Sequence, residues 1–178
     1  MMRTTLARLL TVIGLLALVS TVAASADQSA LTLRASLSSL NEVPPKATTG
    51  TGVFTAKVEK GVIRYTLSYS GLSTPVLQAH LHFGQPAVSA GVFVFLCSNL
   101  GNGPVGTPAC PSAGGTVTGT ITAADILNPT PDQGITPGDF ATALRIIEAG
   151  EAYANVHTTR FPTGEIRGQV SSGGSNND

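Results

Sequence analysis

The sequence predicts an all-β fold: an antiparallel Greek-key β-sandwich or barrel of about eight short strands, with one short helix. Three observations predict it. Apolar and polar residues alternate with period two through much of the chain, the pattern of strands buried on one face only. Twenty glycines and 11 prolines interrupt these runs and mark frequent turns. Charged residues make up 11% of the chain while 42% of it is hydrophobic. That balance is the reverse of a disordered composition.

The first element is a leader. Arg3 and Arg8 give a positive start, Leu9 to Val19 form an apolar stretch, and Ala24-Ser25-Ala26 supplies small residues for cleavage. Residues 1–26 are therefore expected to be a secretory signal peptide, since the stretch falls short of the roughly 20 apolar residues of a membrane span. Cleavage before Asp27 removes two cations from a balanced 10 against 10, leaving a net charge of −2. With no basic run, nucleic acid is not an expected partner. No later segment is long and apolar enough to span a membrane.

The domain is expected over 27–171. Leu31, Leu33, Ala35 and Leu37 alternate with polar neighbours, as do Phe54, Ala56 and Val58. In Val62 to Ser70, Ile63, Tyr65, Leu67 and Tyr69 share one face, and Lys60-Gly61 makes a short hairpin connection to the run before it. Val76 to Phe83 is the next strand. Val92 to Cys97 is apolar on both faces, which predicts a central strand. Gly115 to Thr122, Ala152 to Thr158 and Gly164 to Ser171 complete the set.

One segment has helical spacing. Thr136 precedes Pro137, Asp139 lies in the first turn, Phe140, Leu144 and Ile147 recur at i, i+4 and i+7, and Gly150 stands at the C-terminal end. A helix over 137–149 with Thr136 as its cap is expected. Ala123 to Leu127 suggests a shorter helical turn, and the Ser/Gly/Asn-rich tail, 172–178, is expected to be disordered.

Cys97 and Cys110 are the only cysteines. In an exported chain they are expected to form a disulfide, worth on the order of 3 kcal/mol for a loop of this size. The loop between them contains Gly101-Asn102-Gly103-Pro104-Val105-Gly106, a literal G-x-G-x-x-G. Pro104, Pro108 and Pro111 deny it the helix that a dinucleotide site requires.

The candidate site residues are the three histidines. His80 and His82, at i and i+2 of one strand, leave the same face, and Tyr153, Asn155 and His157 share a face of another. If these strands are neighbours, His80, His82 and His157 make a three-histidine set with an open position. Such a set suits zinc and is available to copper. Asn155, Glu165 and Arg167 are candidates to support these ligands from behind. The competing reading is that the histidines bond across the sheet or meet solvent, and that Glu165 and Arg167 form an ion pair of little worth. Glu42 is a loop acid with no partner legible in the sequence. No G-x-S-x-G elbow, H-E-x-x-H helix or P-loop occurs.

Four segments carry a family resemblance: Asn41-Glu42-Val43-Pro44-Pro45, Ala79-His80-Leu81-His82-Phe83-Gly84, Tyr153-Ala154-Asn155-Val156-His157-Thr158 and Pro162-Thr163-Gly164-Glu165-Ile166-Arg167-Gly168. In this order, over about 31–170, they resemble CHRD domains, the modules first described in chordin and also found as exported bacterial proteins. The resemblance implies an extracellular β-rich module and a bacterial, exported, single-domain member. In chordin such modules belong to a protein that sequesters secreted growth factors. His80 to Gly84 is also similar to the copper-binding strand of Cu/Zn superoxide dismutases, but three histidines are too few for that bimetallic site.

The functional expectation is a periplasmic or extracellular binding or structural module without catalytic activity. Its partner would be an unidentified extracellular protein or surface component. The alternative is a mononuclear copper or zinc protein on His80, His82 and His157, with redox activity open to copper. A third reading makes Glu165 the general base of a hydrolytic metal site.

Overall fold

A computed structural model describes residues 31–128 and 131–173. The expected signal peptide, 1–26, lies outside them. The strands are β1 (Leu31–Ser38), β2 (Thr51–Glu59), β3 (Val62–Ser70), β4 (Val76–Phe83), β5 (Val92–Ser98), β6 (Gly115–Ile121), β7 (Ala152–Thr158), β8 (Ile166–Gln169) and β9 (Ser171–Gly173). They form one antiparallel sheet in the order β5-β4-β7-β8-β1-β2-β3-β6, with β9 also pairing β1. The sheet curls into a nearly closed barrel, the all-β architecture that the alternation predicts.

Period two explains which side chains fill the barrel. Leu33, Ala35 and Leu37 of β1, Phe54 and Ala56 of β2, and Ile63, Tyr65, Leu67 and Tyr69 of β3 are all buried in one core. Lys60 and Gly61 both have positive φ, +46° and +81°. That twist suits a two-residue hairpin turn, and Glu59 pairs with Val62 across it. Tyr65 reaches over the interior to donate its hydroxyl to the Leu96 carbonyl of β5. This bond ties β3 to β5, the strand at the far end of the ladder.

The expected central position of Val92 to Cys97 is corrected. β5 ends the ladder, and β7, buried along all seven residues, lies inside it between β4 and β8. The apolar character of β5 has another cause. The segment after β6 lies over it, with the Leu127 amide donating to the Phe93 carbonyl, and Phe95 packs edge-on against His80.

The helix, α1 (Phe140–Glu148), starts later than expected. Asp139 and not Thr136 is its cap, accepting from the Thr142 amide at 3.0 Å. Gly138 holds φ at +83°, outside helical space, so no helix can run on from Pro137. At the other end the Gly150 and Glu151 amides donate to the Ile147 and Ile146 carbonyls, the paired bonds that close a helix on a glycine. Ala143, Ile146 and Ile147 are buried, while Phe140 and Leu144 pack at the margin of the core. Ala123–Asp125 forms the short helical turn, two residues shorter than Ala123 to Leu127.

Two residues assigned to a disordered tail, Ser172 and Gly173, instead pair with Leu33 and Thr32 of β1. Residues 174–178 lie outside the described residues. Cys97 and Cys110 form the expected disulfide, with their Cα atoms 5.1 Å apart. Among the described residues no helix is long and apolar enough to cross a membrane.

Candidate metal centre

The site is set by the register of β4 against β7. His80 lies opposite Asn155, His82 opposite Tyr153 and Gln78 opposite His157. The same pairing turns Ala79, Leu81, Ala154 and Val156 into the core. Alternation therefore puts the histidines on the outward face of the barrel. They are nonetheless buried, at 1%, 6% and 5% exposure for His80, His82 and His157, because two loops fold over them.

Each loop is fastened to a histidine by its backbone. The Nδ1 of His82 is 2.8 Å from the Ala90 carbonyl and that of His157 is 3.0 Å from the Pro162 carbonyl. A carbonyl only accepts, so both Nδ1 atoms carry the proton and both Nε2 atoms present a lone pair. His80 Nδ1 lies 3.1 Å from His157 Nε2. Because that Nε2 is an acceptor, His80 donates from Nδ1, and its own Nε2 is also left as a lone pair. The Nε2 atoms of His80 and His82 are buried without a hydrogen-bond partner. Two buried lone pairs with no donor are costly.

One nitrogen from each ring lies within 4.8 Å of the other two. Three nitrogens about 2.1 Å from one ion stand roughly 3.4 Å apart, so the widest pair must close by up to about 1.4 Å. Burial holds the ring of His80 down to about 2, with its two histidine neighbours adding to the effect. It also holds His82 and His157 down to about 4. The three rings are thus neutral at neutral pH, the form in which imidazole binds a metal.

Around them stand aromatic walls. Phe95 meets His80 edge-on with centroids 4.4 Å apart, and Tyr153 lies parallel to His82. The Arg167 guanidinium sits 3.4 Å from the Tyr153 ring centroid on a cation–π contact and donates to the Gln85 carbonyl. A groove of about 500 Å³ opens beside Arg167, lined by Glu42, Pro86 and Ala87 among others, and none of the three histidines lines it.

The sequence-derived supporting residues divide in three ways. Arg167 reaches His82 through Tyr153. Asn155, next to His80 in register, donates Nδ2 to Glu42 Oε1 and to the Ile166 carbonyl. Glu165 turns elsewhere: its oxygens accept from the Ser73 amide and hydroxyl and from the Thr158 hydroxyl. It forms no ion pair with Arg167 and is fully occupied, so the general-base reading of Glu165 has no support in its contacts.

Sequence reasoning missed Glu42 and undervalued Tyr153. Glu42 is 5% exposed, and burial raises its carboxyl above the usual range against the opposing pull of Asn155, Val43 and Arg167. Its partner is 113 residues away, and no local pattern signals such a pairing. Gly164 makes the contact possible. It has φ of +124°, and a Cβ there would stand 2.5 Å from Glu42 Oε1 and 2.8 Å from both amide atoms of Asn155. Tyr153 did have a signal, since it alternates onto the face that carries Asn155 and His157.

The pattern of the CHRD domain matches residues 33–170. The chain belongs to the CHRD domain family. No curated protein and no solved structure matches it. The matched span contains all three histidines together with Glu42, Asn155, Glu165 and Arg167.

Proposed function

We propose that this CHRD domain is an exported module without catalytic activity that holds one metal ion on His80, His82 and His157. The observation that carries the reading is the pair of buried, unpartnered Nε2 lone pairs beside a third neutral imidazole. Ordinary cross-strand histidines would find donors or solvent. Here the loop carbonyls fix the tautomers of His82 and His157 with Nε2 as the acceptor, as the outer contacts of a metal site do, and an ion would displace the hydrogen bond between His80 and His157. The disulfide and the family support an oxidising compartment, and residues 1–26 supply the means of export. Within that setting the domain serves as a binding or structural unit toward an extracellular protein or surface component, and the metal braces the loops that would meet it.

The test is metal analysis of the purified protein beside His82→Ala. About one equivalent in the parent and a loss of most of it in the variant is the expected result. Negligible metal in both, after exposure to zinc and copper salts, overturns the reading.

A further inference from the structure

We propose that the centre selects copper(I) over zinc(II) and copper(II). The inference deepens the metal-binding reading above and rests on it. Among the described residues the group contains three imidazoles and no carboxylate or thiolate. Imidazole suits zinc and copper alike, so ligand type does not choose between them. Charge and coordination number do.

Three neutral rings leave the ion its full charge. The surroundings do not offset it: Arg167 is a cation one ring away from His82, and Glu42, the nearby acid, is engaged by Asn155 and faces Arg167. The idealised cost of taking an ion out of water scales with the square of its charge, so a monocation is disfavoured about a quarter as much as a dication.

Coordination number points the same way. Zinc on three protein ligands keeps a fourth position for water or substrate, and copper(II) prefers tetragonal sets. The three rings are 1%, 6% and 5% exposed, so any such ligand would be buried together with the ion. Phe95 stands against His80 and Tyr153 lies flat on His82. The 84–91 loop is held by Ala90 to both His82 and Tyr153, and the 159–164 loop is held by Pro162 to His157. The ring centroids form a near-equilateral triangle with sides of 4.8, 5.5 and 5.7 Å. Three imidazoles in a plane about a central ion give sides of roughly 5.5 Å. A d¹⁰ copper(I) ion is satisfied by three nitrogens in this arrangement and requires no water.

The experiment is an anaerobic competition on the whole purified protein. Copper(I) is supplied as its bicinchoninate complex with ascorbate, and zinc(II) is titrated against a chromophoric chelator. The expected result is one equivalent of copper(I) withdrawn from bicinchoninate, not displaced by a 100-fold excess of zinc. His82→Ala and His157→Gln should each weaken copper(I) uptake at least 100-fold, with circular dichroism confirming that each is folded. The parent competition needs no variant and decides the point if either fails to fold. Stoichiometric zinc that copper(I) does not displace overturns the choice of metal and leaves the centre standing. Binding of neither ion overturns both.

Discussion

The ring of Tyr153 lies on the ring of His82, with centroids 4.6 Å apart and 2° between their planes. Arg167 covers the other face of the tyrosine, so a guanidinium, a phenol and an imidazole form one stack. The Tyr153 hydroxyl accepts from the Ala90 amide at 3.1 Å, and Ala90 in turn receives the His82 proton. Ring and loop therefore hold His82 from two directions.

Replacing Tyr153 separates these supports. Tyr153→Phe keeps the stack and leaves one loop amide without its acceptor, a loss of about 1 kcal/mol in urea unfolding. Tyr153→Ala removes the ring from between His82 and Arg167 and is expected to cost about 3–5 kcal/mol. Metal affinity should follow the ring and not the hydroxyl: near the parent value in the first variant, and at least tenfold weaker in the second.

The disulfide gives a prediction about stability alone. Cys97 is fully buried at the end of β5 and Cys110 is 6% exposed, and the bridge closes a loop with a sequence separation of 13. Its removal by Cys97→Ala with Cys110→Ala is expected to cost on the order of 3 kcal/mol. Cys97 pairs with Ala79, and its side chain is buried in the core on the face opposite the histidines, so metal stoichiometry should remain at one. Urea midpoints and metal analysis of the same preparation check the two statements together.

How far the sequence reaches is visible in β4 and β7. Alternation alone placed His80, His82, Asn155 and His157 on outward faces, and the pairing of β4 with β7, which alternation left open, is what sets these faces side by side. Burial of that outward face was not legible. It depends on loops closing over a sheet, and loop paths follow from contacts as distant as Gly164 against Glu42. The position of β5 was misread for a related reason: a strand apolar on both faces can be covered by a neighbouring segment as well as by flanking strands. Glu165 and Arg167 alternate identically, yet one bonds Ser73 and Thr158 and the other stacks on Tyr153. Period two assigns faces and leaves partners undetermined.

Glu42 tests whether its charge or its acceptor matters. Glu42→Ala strands an N–H of Asn155 in a buried site and is expected to cost about 1–3 kcal/mol. Glu42→Gln keeps an oxygen for Asn155 and removes the charge. Burial raises this carboxyl in the folded protein, so folding favours its neutral form. The stability it contributes is present in acid and is lost as pH rises through the folded value. Glu42→Gln should therefore gain on the parent between pH 4 and pH 7. A constant difference in urea midpoints over that range would refute the account.

Tyr65 and Tyr69 set an upper pH limit on the barrel. Burial raises both phenols to about 12, with the charge of Asp125 adding to the effect at Tyr65. Their hydroxyls donate to the carbonyls of Leu96 and Pro111. An unfolded tyrosine titrates near 10. Between about pH 10 and 12 the unfolded chain has released protons that the folded chain retains, so stability is complete below 10 and falls through this window. Each tyrosine contributes up to about 1.4 kcal/mol per pH unit to the fall. Tyr65→Phe leaves the Leu96 carbonyl unpaired and is expected to be less stable than the parent by about 1–2 kcal/mol at neutral pH. Because it lacks one titrating phenol, its deficit should shrink as pH rises from 10 to 12. Urea midpoints at pH 8, 10 and 11.5 measure that convergence, and parallel curves would show that Tyr65 does not hold its proton through the fold.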